Sequence, residues 1–263
     1  MLVKCQTIIT FIEEMAPKSL AMEGDNTGWQ VGDPGRPVDH VLLALDVGEQ
    51  TVAEAAELAA QLIISHHPLI YKPMRSIRFD LPLGRIVSGL IRSDIGVYSA
   101  HTNLDAAENG VNTALAQRLG LVEIGPLSPE LEGFGRVGRL PEAVTFAQFI
   151  GMVKVALGIP GSRAGGPLSR RVSKVAICGG SGGDLWSKAA FAGADVYVTG
   201  DLKYHTAQEI LNAGMNFIDP GHFASERVIL DPLAEYLRER ITKAKLDVKL
   251  SVSRTDSDPF VFR

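Results

Sequence analysis

Cysteine is scarce. The chain has two in 263 residues, Cys5 and Cys178, neither in CxxC spacing nor beside a histidine. That excludes a disulfide framework and a thiolate metal cage, so any metal site must draw on histidine and carboxylate ligands. Long apolar runs are missing too, and no stretch reaches the length that spans a bilayer. The first residues, Met1 to Cys5, run straight into an amphipathic pattern of Ile8, Ile9, Phe11, Ile12 and Met15, with no apolar core or cleavage site of a secretion signal. The expectation is a reduced, cytoplasmic protein without a membrane partner. Positive charge is not in excess: 26 Lys and Arg stand against 30 Asp and Glu, a formal net charge of −4. Attachment to nucleic acid by bulk charge is thereby disfavoured, and a local basic patch around Lys72, Arg75 and Arg78 stays open. Repeats of solenoid period and low-complexity tracts are absent.

What is present is a patterned α/β chain. Leu62 to Ile64 is a short apolar run of the kind that forms a doubly covered strand, and it ends abruptly in His66 and His67. His40 to Asp46 reads as the strand before it. Thr51 and Glu54 read as a capping box for the helix between, which ends near Ala60. Strand, helix, strand at this spacing makes a βαβ unit with a parallel sheet, placing Asp46 and His66 at one edge. Further helices are predicted over about residues 4–16, 82–92 and 110–119, with a strand over 95–100 that again ends on a histidine, His101. The segment Gly24 to Pro34 reads as a glycine-rich loop.

Composition shifts around Gly125 to Pro129. The expected division is a first subdomain of residues 1–125, completed by about 216–263, and a second of 126–215. In the second, strands are expected at 135–140, 172–178 and 195–199, a helix at 145–157 and a loop at 161–167. The last part reads as a short strand over 215–219, one long helix from His222 to about Arg240, and a strand over 247–251.

Histidine is the residue whose placement carries chemistry. Of six, His66, His67, His101, His205 and His222 fall at ends of predicted strands or at a helix start, and only His40 begins a strand. Core histidines have no reason to collect at one sheet edge, where ligands of open α/β sheets bind. His222 and Glu226 are four apart at a helix start and share a face. Asp105 follows His101 by four residues across a loop, where a carboxylate can bridge two cations or simply cap a helix. His66, His67, Asp105, His222 and Glu226 together give mixed nitrogen and oxygen donors that suit two Zn²⁺, Fe²⁺, Mn²⁺ or Co²⁺ ions without choosing among them. Such a pair lowers the pKa of a shared water toward neutrality, and His101 is then a ligand orienter or proton carrier. Asp201, Lys203 and His205 crowd another strand end as substrate-binding candidates, with a hydrogen-bonded turn as the alternative. Gly179 to Asp184 sits where backbone N–H groups can cradle a phosphate, yet it matches neither a dinucleotide fingerprint nor a Walker loop, so a tight turn is the plainer explanation.

Five segments in order resemble the GTP cyclohydrolase I type 2-like family, also called Nif-three-like dinuclear metal centre proteins: Asp25 to Gly32, Ser65 to Ile70, Ser99 to Asp105, Thr199 to His205, and Gly221 to Glu226. The resemblance covers nearly the whole chain. It implies two α/β/α subdomains with mixed, partly parallel sheets, the metal site in the cleft between them, and a ring-shaped homohexamer. It also implies metal ligation by His66, His67, Asp105, His222 and Glu226, with Asp105 and Glu226 as bridges. The reaction implied is opening of the GTP imidazole ring by metal-bound hydroxide, releasing formate and giving a dihydroneopterin triphosphate. Where the family's helix motif often has Tyr, this chain has Phe223. Two other readings remain open: a phosphoesterase using the same ions, and a non-catalytic ring that serves as a scaffold, metal chaperone or nucleic-acid-associated protein.

Overall fold

A computed structural model describes residues 2–131 and 133–261. In chain order the elements are α1 (Cys5–Met15), β1 (Gly28–Val31), β2 (His40–Ala44), α2 (Glu49–Glu57), β3 (Leu62–Ser65), α3 (Pro82–Arg92), β4 (Gly96–Ser99), α4 (Thr102–Ala106), α5 (Val111–Arg118) and β5 (Val122–Pro126). They continue with β6 (Arg136–Thr145), α6 (Phe146–Leu157), β7 (Arg163–Gly165), β8 (Arg171–Cys178), α7 (Trp186–Phe191), β9 (Val196–Thr199), α8 (Tyr204–Asn212), β10 (Asn216–Asp219), α9 (His222–Glu226), α10 (Leu230–Lys243) and β11 (Lys249–Val252). The chain divides into two compact units, Met1–Leu104 with Leu230–Ser257, and Asp105–Ile229 with Asp258–Arg263.

The first unit is a five-stranded sheet in the order β1-β4-β3-β2-β11. β2, β3, β4 and β11 run parallel, as helical crossovers require, and β1 pairs antiparallel with β4 at the edge. Alternation along the strands splits the core in two. Leu42, Ala44, Ile63 and Val97 pack against Val52 and Ala55 of α2 and Leu90 of α3, while Tyr98 on the opposite face reaches Glu13 of α1. Because β2, β3 and β4 are parallel, the residues that follow them emerge at the same edge: Asp46, then His66 and His67, then His101.

The second unit is a six-stranded sheet, β5-β6-β8-β9-β10-β7, in which β8, β9 and β10 are parallel and the other pairings antiparallel. Phe146, Phe149 and Val153 of α6 and Leu115 of α5 bury against Val175, Ile177, Val196 and Val198. On the other face Ala189 of α7 and Ile210 of α8 cover Ala176, Tyr197 and Phe217. Thr145 caps α6 by accepting from Gln148 N, and the Gln148 side chain accepts from Thr145 N, so the capping box expected of such a start is formed.

Several elements differ from expectation. The division falls between Leu104 and Asp105, and β5 and β10 both belong to the second sheet because they pair with β6 and β9. The Gly24–Pro34 loop contains β1, and the 161–167 loop contains β7, paired antiparallel with β10. Asp105 lies on a short helix, and α8 follows Lys203. Helix α2 begins earlier than its capping residues suggest: Thr51 accepts from Gly48 N, and Glu54 is turned to the Ser253–Thr255 segment. The long helix from His222 breaks into α9, a 3₁₀ turn over Arg227–Ile229, and α10. Pro232 explains the break, since proline is tolerated in the first turn of a helix and disrupts its interior.

Candidate metal centre

In the first unit, three imidazoles gather at the carboxyl edge of the parallel strands. His66 N and His67 N donate to the Ala44 and Leu45 carbonyls, and Ser65 Oγ donates to His67 O at 2.8 Å, so the backbone that carries the pair is pinned on both sides. Each ring is then fixed through Nδ1. His66 Nδ1 lies 2.9 Å from the Ala100 carbonyl, His67 Nδ1 2.9 Å from Asp46 Oδ1, and His101 Nδ1 2.8 Å from Asp25 Oδ1. A carbonyl or an ionised carboxylate only accepts, so Nδ1 carries a proton in each and Nε2 is the nitrogen turned away from these supports. A ligand atom from each of His66, His67 and His101 lies within 4.8 Å of the others.

Asp25 is the buried support of this cluster, its side chain 4% exposed. Burial would raise its carboxyl, but hydrogen bonds from Thr102 and His101 together outweigh that and hold it below the usual range. For His101, burial lowers the pKa and the neighbouring His66 and His67 push the same way, against the pull of Asp25. A neutral His101 results at neutral pH.

In the second unit, α9 carries His222 and Glu226, and their spacing of one helical turn brings Nε2 to 3.0 Å from Oε2. His222 follows the same rule as the others: its Nδ1 lies 2.8 Å from Asp201 Oδ2. An oxygen of Asp105 and one of Glu226 lie within 4.8 Å of each other. Both carboxylates, after burial itself, push the neighbouring Cys178 thiol up, which keeps it a protonated core residue. The Gly179–Gly180 turn braces this half. Gly179 N donates to Asn112 Oδ1 at 2.9 Å, Asn112 Nδ2 donates to Asp105 O at 3.0 Å, and Gly180 N donates to Ser225 Oγ at 3.0 Å. A Cβ on Gly180 would overlap Glu226 Oε1 and stand 3.3 Å from His222 Nε2. The glycine therefore clears space for the acid, and its loop is a tight turn.

The remaining candidates take plainer positions. Lys203 is the residue before α8, and His205 is exposed in its first turn with Nδ1 3.3 Å from Gln208 Oε1. His40 has both ring nitrogens engaged, with Leu58 O at 2.9 Å and Ser251 Oγ at 2.8 Å, and belongs to the sheet. Spacing alone missed Asp25 and Asp46, because acids that serve a histidine 76 or 21 residues away leave no local periodicity. The donor set fits a divalent cation: imidazoles held through Nδ1, the carboxylates of buried Glu226 and half-buried Asp105, and no thiolate among these donors.

A sequence model of the family described as Duf34/NIF3 (NGG1p interacting factor 3) matches residues 3–259. A Clostridium perfringens protein named "GTP cyclohydrolase 1 type 2 homolog" is 39% identical over 98% of this chain and 99% of its own length. A Lactococcus lactis protein of the same name is 39% identical over 94% of this chain and 95% of its own. The crystal structure of a Bacillus cereus protein related to NIF3 superposes with a TM-score of 0.96 at 32% identity, covering 100% of both chains.

Proposed function

This chain belongs to the Duf34/NIF3 family, and from that membership we propose that it is a metal-dependent hydrolase of a nucleotide-like substrate. His66 and His67 of the first unit and Asp105, His222 and Glu226 of the second would hold two divalent cations. Such ions supply Lewis acidity, lowering the pKa of a water and stabilising charge that develops on the attacked ring. The name shared by the relatives points to the reaction, hydrolytic opening of the GTP imidazole ring with release of formate.

The chain's own residues have separable tasks. The Ala100 carbonyl, Asp46 and Asp201 aim the rings of His66, His67 and His222 and set their tautomer. Glu226, buried and cleared by Gly180, and Asp105 beside it would supply anionic oxygens to the cations and offset part of their mutual repulsion. His101, neutral and backed by Asp25, receives a proton at Nε2, and Asp25 steadies the imidazolium that forms. The observation that carries this reading is that His66, His67 and His101 bring ligand atoms within 4.8 Å of one another and His222 stands 3.0 Å from Glu226, whereas His40 has its Nε2 on Ser251 Oγ and exposed His205 falls in no such group among the described residues.

Incubating metal-loaded protein with GTP should release formate and, after oxidation, a fluorescent pterin. Phosphate release without formate supports a phosphoesterase instead. Absence of any product, with His67→Ala indistinguishable from wild type, rejects catalysis at this site. The family reading also carries a homohexameric ring, which light scattering on the purified protein measures.

A further inference from the structure

Beside His222 the second unit holds a cavity of about 380 Å³, whose walls include Arg163, Asp201, Asp219, Asp258 and Phe260. Its acids are not equivalent. Asp219 is saturated, accepting from Leu202 N at 3.0 Å, from Gly221 N at 2.9 Å and from Arg163. Asp201 is committed to His222. Asp258 differs: its Oδ1 accepts from Phe260 N at 2.8 Å, and among the described residues no hydrogen bond reaches Oδ2. Phe260, next to it on the cavity wall, is 75% exposed.

Three carboxylates against one guanidinium, itself already paired, make the cavity acidic. That repels phosphate and favours a group that donates hydrogen bonds. An exposed aromatic ring adjoining a carboxylate suits a planar heterocycle: the ring is covered by stacking, and the acid reads an N–H edge. We infer that this cavity is the base subsite of the proposed hydrolase, in which Phe260 stacks on a purine and Asp258 accepts from the N1–H and 2-amino group of a guanine-type edge. The six-membered ring then lies against Phe260 and the five-membered ring turns toward His222, with the phosphates outside. The inference rests on the nucleotide reading above.

The test is calorimetric binding of guanosine, inosine and adenosine to the purified full-length protein, which separates base recognition from phosphate. Guanosine should bind about tenfold more tightly than inosine, which lacks the 2-amino donor, and adenosine more weakly still. Asp258→Asn, which keeps an acceptor for Phe260 N, should bring guanosine to the inosine level. Phe260→Ala should weaken both by about tenfold. Unchanged thermal midpoint and metal content confirm that both variants are folded. Equal binding of guanosine and inosine, or discrimination that survives Asp258→Asn, overturns the subsite. Formate release from GTP, followed in parallel, separates the two claims. Formate without Asp258-dependent discrimination overturns the subsite alone, and discrimination without formate overturns the reaction while retaining the subsite.

Discussion

Gly180 and Glu226 are packed so that a methyl group on the first cannot coexist with the present position of the carboxylate on the second. Gly180→Ala should therefore displace Glu226 and weaken metal binding at least tenfold. Gly158→Ala is the control, because its φ of +66° is close to the +62° of Gly180 and nothing lies within 4 Å of the Cβ it would gain. Both variants pay a left-handed strain of about 1–2 kcal/mol in stability. Metal titrations should separate them; equal metal affinity in the two would show that the clearance has no role.

The acids behind the rings give a second prediction. Asp46→Asn and Asp201→Asn leave every proposed ligand in place and change only what His67 and His222 donate to. Each should lower metal affinity by roughly 10–100-fold, with less loss than alanine at the histidine itself. Competition with a chromogenic chelator measures this. An affinity unchanged in both variants would mean that the carboxylates do not tune the ligands.

A third prediction concerns acid stability, away from the metal residues. Glu54 accepts from Ser253 Oγ at 2.6 Å, Thr255 Oγ1 at 3.0 Å and Arg254 N at 3.0 Å, tying the end of the first unit to α2. Burial opposes ionisation here, but those hydrogen bonds together win and hold the carboxyl below its usual value. A folded pKa below the unfolded one means that the stabilisation is present above the unfolded value, about 4.3, and is lost as pH falls through the folded one. Glu54→Gln should cost about 1–3 kcal/mol at pH 7, and the gap from wild type should close below pH 4 in urea melts. A gap independent of pH would contradict the assignment.

Much of the site was legible because its chemistry sits at strand ends. Leu62 to Ile64 is too short and too apolar for anything but a buried strand, and the parallel pairing of β2, β3 and β4 follows from the helices between them, so the edge bearing His66, His67 and His101 could be read directly. Other elements left weaker marks. β1 begins at Gly28 and is followed by Gly32, both at positive φ, and its pairing with β4 is a tertiary fact. β7 is three residues whose Gly165 lies against the Phe217 ring, where a side chain would clash. The interruption after Glu226 was marked by Pro232, whose position two residues inside α10 forces a new helix start. Asp25 and Asp46 were invisible as supports because their partners are distant in sequence.

Apo protein, prepared by chelation, should also unfold at lower temperature than the metal-loaded form, by an amount that grows with free metal concentration, since a ligand bound only to the folded state stabilises it by mass action. Thermal midpoints recorded across a metal titration check this, and a midpoint independent of metal would contradict folded-state binding.

The most direct test of the proposed centre is elemental analysis of reconstituted, dialysed protein together with His67→Ala and Glu226→Gln. The expected result is two divalent ions per chain in the wild type and a clear loss in each variant. Wild type that retains no divalent metal, or variants that retain the full wild-type content, would contradict it.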